Sequence, residues 1–274
     1  MSSSTTTSRP LITRRETWRV ALLIPVCELS YPGRIAARCV MIAIQISLYY
    51  WLWIALYASD GGDAAQICSY SAMAILLSRV RWTARYYSRE AVPARIREGT
   101  IAYWFVRPLD PPQYYFLRGI GEAGLGASVA LLGYLVCLAV GVVQPPDGVL
   151  VGLASLAAVA LGQCILYYLG LLLDLTCFWL VTNDSVKHIY VFVQDLLSGA
   201  LLPLWLFPGW LEALADVLPF KAAIYQPLAL YVGRAPLESA VGLFTIQILW
   251  LGALAVLTRF LWRRASLRVM VQGG

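Results

Sequence analysis

Long apolar runs alternate with shorter polar connections along most of the 274-residue chain. A helix of about 20 apolar residues is long enough to cross the hydrocarbon core of a bilayer. By this criterion six spans are predicted, at residues 38–58, 64–80, 119–143, 149–181, 187–206 and 239–261. The pattern therefore predicts an all-α integral membrane protein, with one six-span domain over residues 38–262.

The two ends of the chain are expected to lie outside the spans. Residues 1–12 are rich in serine and threonine, which is typical of a disordered tail. Residues 13–37 mix arginines with Trp18 and aliphatic residues, a composition that favours an amphipathic helix lying in the membrane interface. Residues 263–274 are expected to form a cytoplasmic tail.

Two connections depart from the simple alternation of spans and short loops. Residues 81–118 form a long basic connection between the second and third spans. Residues 206–238 are apolar but are interrupted by prolines and glycines, so neither half can cross a hydrocarbon core about 30 Å thick. For this segment the sequence predicts a re-entrant pair of short helices, which requires that its broken backbone be buried against the spans.

Composition and charge agree with a membrane location and give the spans an orientation. Only 13% of the residues are charged, against about 25% in soluble chains. All basic residues except Lys221 and Arg234 fall on one side of the predicted spans, and loops rich in lysine and arginine face the cytoplasm. Both termini are therefore expected in the cytoplasm, and the net charge of +6 is assigned to anionic lipid and a partner rather than to nucleic acid.

Catalytic chemistry is poorly represented. The six cysteines stand singly among apolar residues, and the chain has one histidine, so neither a metal site nor a catalytic cluster is predicted. The only two lysines, Lys187 and Lys221, do not follow the glycine-rich turn that binds ATP phosphates. The chain is therefore expected to have no enzymatic activity and no cofactor of its own.

Two motifs resemble a known family. Arg97, Glu98, Gly99 and Thr100, followed by IAYWFVRPLDP, resemble the cytoplasmic loop between spans 2 and 3 of type 2 ABC exporter permeases. The later stretch LLSGALLPLWLFPGWLEALADVLPF resembles span 5 and the re-entrant segment of the same family. The likeness runs from about residue 15 to the C-terminus, and is greatest to permeases encoded as two homologous membrane subunits beside a separate ATPase.

The resemblance implies partners and a coupling site. It implies a bacterial inner-membrane exporter with two copies of an ABC ATPase, which bind the ATP and Mg²⁺, and a second permease subunit that is a homologue. It also implies a coupling helix within residues 90–105. The residues expected to contact the ATPase are Arg95, Arg97, Glu98, Gly99 and Thr100. Anchoring of these arginines to anionic headgroups is the alternative.

The remaining candidates lie in the spans and in the 206–238 segment. The candidates for the substrate path are Gln45, Tyr49, Tyr70, Asp174, Gln194 and Asp195. The candidates for an outer gate are Pro208, Trp210, Glu212 and Asp216. Intramembrane carboxylates line a cavity or pair with a nearby cation, here an arginine at the inner membrane surface or His188, and both possibilities stay open for Asp174 and Asp195. Glu212 and Asp216 equally fit a solvated outer face.

The expected function is export of an amphipathic or hydrophobic compound, such as an antibiotic, a peptide or a lipid-like molecule. The alternative is a secondary transporter or channel in which an ion gradient acts through Asp174 and Asp195.

Overall fold

The computed structural model describes residues 26–27, 29–57, 63–85, 111–179 and 184–272, and in these ranges it contains helices and no strands. The helices are α1 (Pro32–Leu56), α2 (Asp63–Arg85), α3 (Pro111–Val140), α4 (Val149–Leu175), α5 (Asp184–Leu197), α6 (Gly209–Val217), α7 (Pro219–Ala223), α8 (Tyr225–Tyr231) and α9 (Ala240–Gln272). Short 3-10 turns lie at Thr176–Phe178, Leu204–Leu206 and Leu237–Ser239.

Four of the described helical stretches are long and apolar enough to cross a membrane. They are Pro32–Leu56, Gly119–Val140, Val149–Leu175 and Leu237–Ala265. The second predicted span forms a shorter apolar stretch, Ala64–Val80, inside the longer helix α2. The prediction of an all-α membrane protein is therefore confirmed, whereas the full set of six spans stays a prediction.

The first and last helices extend beyond the predicted spans. Helix α1 begins at Pro32, where the fixed backbone angle of proline suits the first turn of a helix, so residues 32–37 continue the first span. Helix α9 continues to Gln272, so most of the predicted tail is helical. The predicted disordered tail (1–12), most of the predicted interfacial helix and most of the 81–118 loop lie outside the described residues.

Helix α2 occupies the centre of the bundle, and nearly every side chain between Ile67 and Leu76 is buried. Helix α1 packs against it with Ile42, Ile46 and Trp53, which recur at helical spacing on one face. The Trp53 indole Nε1–H donates to Ser71 Oγ at 2.9 Å, which satisfies both polar groups inside an apolar interface.

Helix α3 approaches its neighbours closely at three glycines spaced seven residues apart. A β-carbon at Gly126 would lie 2.7 Å from the Cα of Val80, and one at Gly133 would lie 2.5 Å from a methyl of Leu76. At Gly119 the same atom would lie 2.7 Å from the ring of Tyr167 on α4. Small residues therefore bring α3 into backbone contact with α2, as is common between membrane helices.

The fifth predicted span is shorter than expected. Its helix, α5, has 14 residues and is about 21 Å long at 1.5 Å per residue, rather than continuing from 187 to 206. Gly199 ends it with a φ of +75°, a conformation that glycine adopts without strain. The hydroxyl of buried Tyr70 donates to the Gly199 carbonyl at 2.9 Å and fixes this turn against α2.

The 206–238 segment forms three short helices, α6 to α8, rather than the predicted pair. Leu218 separates α6 from α7 in an extended conformation, with φ −105° and ψ 150°, because the following proline disfavours a helical residue before it. None of the three helices exceeds nine residues. They are therefore too short to cross a membrane individually.

Helix α7 packs beside the middle of α4. A β-carbon at Gly162 would lie 2.1 Å from the carbonyl oxygen of Ala223. The buried Gln247 amide nitrogen of α9 donates to the carbonyls of Ala158 at 2.8 Å and Ala222 at 2.9 Å. Gly162 is about 20 Å along α4 from Val149 at 1.5 Å per residue, so α7 lies level with the centre of that long helix.

Candidate functional site

Two of the four residues expected at an outer gate, Glu212 and Asp216, bind a buried lysine. Lys221, only 8% exposed, places its ammonium 2.6 Å from Asp216 Oδ1 and 3.3 Å from Glu212 Oε1. It also lies 5.3 Å from the centre of the Tyr225 ring. The predicted pairing of Glu212 and Asp216 on one face of a helix thus becomes a three-residue cluster, which we call the lysine clamp. Pro208 directly precedes α6, and Trp210 is exposed.

The lysine clamp ties α6 to α7 by its charges. The two carboxylates remain partly open to solvent, whereas the ammonium is enclosed by protein. Removing both carboxylates would leave a buried cation uncompensated, whereas removing the cation would leave two partly solvated anions. The clamp should therefore respond asymmetrically to substitution.

Double substitution of Glu212→Gln and Asp216→Asn is expected to lower the free energy of unfolding by about 1–2 kcal/mol, and Lys221→Met by less. This loss of stability is smaller than the roughly 3–5 kcal/mol for a fully buried pair, because both carboxylates are partly exposed. Thermal unfolding of the detergent-solubilised protein measures this difference. Glu238→Gln, an exposed carboxylate outside the clamp, is the control, and equal losses in the two clamp variants would contradict the asymmetry.

An aromatic cluster lies next to the clamp. The ring of Trp205 is 4.9 Å from that of Tyr70 and 5.9 Å from that of Tyr225. The Arg234 guanidinium lies 4.7 Å from the Trp205 ring centre and donates to Gln66 Oε1 at 3.1 Å. The cluster joins the turn after α5 to α2 and α8. Tyr70, expected on the substrate path, is therefore fully enclosed in this cluster.

Two other path candidates hold α1 against its neighbours. The side-chain oxygen of Gln45 accepts a hydrogen bond from the Arg79 guanidinium of α2. The Tyr49 hydroxyl donates to the Leu201 carbonyl at 3.4 Å, a long hydrogen bond to the turn after α5. Both residues bridge helices, which is a common role of polar side chains inside membrane bundles.

The two intramembrane carboxylates differ in their surroundings. Asp174, near the end of α4, forms an ion pair with Lys187 of α5, with Oδ1 and Nζ 3.0 Å apart. The sequence predicted an arginine or His188 as the paired cation, whereas the structure shows a lysine at that place. Asp195 is half-buried, and its backbone carbonyl accepts hydrogen bonds from Ala200 and Leu201 at the end of α5. Asp174 therefore lies beside the first turn of α5, and Asp195 lies in its last turn.

Gln194 is the most unusual of the candidates. Its side chain is 1% exposed, yet neither its amide nitrogen nor its oxygen has a hydrogen-bond partner among the described residues. It lies between Tyr190 and Leu197 on one face of α5, and both of these neighbours contact Phe220 of α7 or its hydrophobic cluster. The short helices therefore cover a polar group that the bundle leaves unsatisfied.

Three functional features escaped sequence reasoning. Gln247 joins α4, α7 and α9, and its only sequence signal is a glutamine in the middle of an apolar span. Sequence analysis noted Lys221 only as one of the two basic residues that do not face the cytoplasm, and Arg79 only as one of the basic residues on the cytoplasmic side. The candidate coupling residues Arg95, Arg97, Glu98, Gly99 and Thr100 lie outside the described residues.

Four helices long and apolar enough to cross a membrane, with a short helix packed beside the middle of α4, define a multi-pass membrane protein. The family model described as ABC-2 family transporter protein matches residues 39–273, and the chain belongs to this family. Comparisons with curated proteins and with solved structures find no match. The resemblance to type 2 ABC permeases is thereby confirmed, and it makes the chain the transmembrane part of an ABC transporter.

Proposed function

We propose that the chain is the permease subunit of an ATP-driven exporter and forms half of a translocation pathway. Its substrate is an amphipathic or hydrophobic compound, such as an antibiotic, a peptide or a lipid-like molecule. The family match over residues 39–273, which spans nearly all the described helices, is the observation that carries this proposal. Predominantly apolar helices with a few buried glutamines suit such a substrate.

The proposed arrangement has six spans in a bacterial inner membrane, with both termini in the cytoplasm. The one-sided distribution of basic residues supports this orientation. The 206–238 segment is proposed to enter from the outer side and return. Support comes from α7, whose backbone contacts Gly162 near the centre of α4 and is held there by Gln247. Burial of this kind is what a non-spanning backbone needs at membrane depth.

Energy is proposed to come from two copies of an ABC ATPase, which bind ATP and Mg²⁺. The loop near Arg97 and Glu98 would contact a cleft on the ATPase and convey closure of the nucleotide sites to the spans. A second permease, homologous to this chain, would complete the pathway. Membership of the ABC-2 family supports association with an ATPase in general.

The alternative of ion-gradient-driven transport through Asp174 and Asp195 is less favoured by the structure. Asp174 is already compensated by Lys187 at 3.0 Å, and a proton carrier must lose and regain its charge freely. We assign Asp174 to holding α4 and α5 together. Gln194, covered by the short helices and without a hydrogen-bond partner in the described part of the chain, is the better candidate for contact with substrate when those helices move.

Copurification tests the proposal. When the chain is expressed with its neighbouring genes and purified through a tag on this chain, an ABC ATPase subunit is expected to accompany it. ATP-dependent transport in proteoliposomes should stop when the P-loop lysine of that ATPase is replaced by alanine, with the complex still assembled. Transport driven by a proton gradient, by this chain alone, would refute the exporter assignment.

A further inference from the structure

Helix α6 has two faces whose roles are already clear. Ala215, fully buried, packs into a hydrophobic cluster with Leu204 and Phe220. Glu212 and Asp216 lie on a second face and bind the ammonium of Lys221. These contacts fix the rotation of α6 about its own axis. Its third face is therefore directed away from the bundle.

The third face is apolar and exposed. Trp210 is 71% exposed, Leu214 47% and Val217 73%, and Ala213 is exposed beside them. The four residues follow the spacing i, i+3, i+4 and i+7, which makes a continuous stripe along the helix. A helix facing water carries polar residues on its outer side. Something apolar therefore covers this stripe in the membrane-embedded protein.

The depth of α6 follows from its contacts with α7. Lys221 of α7 reaches α6 directly, Ala223 of α7 touches Gly162 of α4, and the Gln247 amide bridges Ala222 to Ala158 of α4. These positions are about 14–20 Å from the start of α4 at 1.5 Å per residue. Because the ammonium of Lys221 contacts α6, this helix lies within the length of a lysine side chain of that depth along α4. Its stripe thus lies beside the apolar zone of the long helices.

We propose that the stripe of Trp210, Ala213, Leu214 and Val217 is a lipid-binding surface that inserts into the outer leaflet. Trp210 would lie at headgroup level, where amphipathic rings are favoured. The carboxylates of α6 bind Lys221 on a different face of the helix, so the stripe itself brings no charged side chain into lipid. This proposal rests on the re-entrant placement of the 206–238 segment and is independent of any ATPase.

A second copy of the chain fits the stripe less well. A stable protein interface buries about 800 Å² on each partner, and four side chains on a nine-residue helix offer much less than that. Lipid needs no matching surface.

Spin labels on single cysteines test the proposal with the chain alone, reconstituted in vesicles of phosphatidylcholine and phosphatidylglycerol. After replacement of the native cysteines, labels are placed by Leu214→Cys and Val217→Cys. Matched controls are Leu249→Cys, which is 67% exposed in the apolar part of α9, and Glu238→Cys in the exposed turn before α9. Collision rates with oxygen, which concentrates in lipid, and with a water-soluble nickel chelate are then measured by electron paramagnetic resonance.

The labels at 214 and 217 are expected to match the label at 249. Their oxygen-to-nickel collision ratio should exceed that of the label at 238 by about tenfold, the ratio given by a partition free-energy difference of about 1.4 kcal/mol. A ratio equal to that at 238 would place the stripe in water and overturn the proposal. An immobile label that neither reagent reaches would show a protein partner over the stripe, and would overturn it as well.

A second measurement keeps the native cysteines. Brominated phosphatidylcholine quenches tryptophans that contact lipid, so Trp210→Phe should remove a quenchable part of the fluorescence. Trp205→Phe, a half-buried ring packed between Tyr70 and Tyr225, should remove less. An equal or greater loss for Trp205→Phe would contradict lipid contact at α6. Neither measurement depends on transport, so either can fail while the exporter assignment stands.

Discussion

Replacing Gly162 with alanine is expected to separate α7 from α4 and to lower the free energy of unfolding by about 1–3 kcal/mol. The new β-carbon would lie 2.1 Å from the carbonyl oxygen of Ala223, so one backbone must move by about 1 Å or more to restore van der Waals distance. Gln247 holds the adjacent Ala222 and resists that movement. The substitution therefore strains two helix contacts together.

Thermal unfolding in detergent measures this loss, at about 2–4 °C per kcal/mol for a chain of roughly this size. Gly252→Ala on α9 is the matched control, because a β-carbon there has no atom within 4 Å. That control should be neutral or slightly stabilising, since alanine favours a helix over glycine by up to about 1 kcal/mol. Equal unfolding temperatures for the Gly162 variant and the wild type would show that α7 does not contact α4 as described.

Exchanging the charges of Arg97 and Glu98 is expected to uncouple transport from ATP hydrolysis and leave membrane insertion intact. The variant Arg97→Glu with Glu98→Arg keeps the net charge of the loop, so the orientation of the spans is preserved. Loss of a charged contact at an interface costs about 2–5 kcal/mol, so transport should fall by at least tenfold. Transport and ATP hydrolysis are measured in the same proteoliposomes, with the ATPase subunit present.

Arg89→Glu controls for charge in the same loop, because it changes the net charge outside both the motif and the expected coupling helix. It should leave coupling close to that of the wild type. If coupling is normal in the exchanged variant, the basic loop serves only to orient the spans in the membrane. Loss of the protein from the membrane would assign Arg97 and Glu98 to insertion instead.

Hydropathy alone predicted the long helices, because a run of about 20 apolar residues has few alternatives to a span. Hydropathy overestimated the length of α5, because the end of this helix depends on Gly199 and on a hydrogen bond from Tyr70, 129 residues earlier in the chain. No local pattern contains that contact. Breaks in the helical backbone of the 206–238 segment were predicted correctly, because prolines mark them locally. The number of short helices was not, since two were predicted and the structure has three.

The candidate site was predicted only in part for the same reason. Glu212 and Asp216 lie one turn apart, so their shared face was apparent from spacing. Their cation, Lys221, lies on the next helix and reaches them across the extended residue Leu218, which separates the two helices. For Asp174, sequence reasoning offered a cavity or a nearby cation, and the ion pair with Lys187 favours the second. Gln247 acts through carbonyls 25 and 89 residues away.

The glycine contacts of α3 restrict the route that a substrate can take. At Gly126 the backbones of α2 and α3 touch, and at Gly162 the same is true of α4 and α7. Neither seam has room for a solute, and widening either would break close packing along whole helices. The proposed pathway would therefore avoid both contacts and run along an outer surface of this bundle, where the proposed second permease would supply the opposite wall.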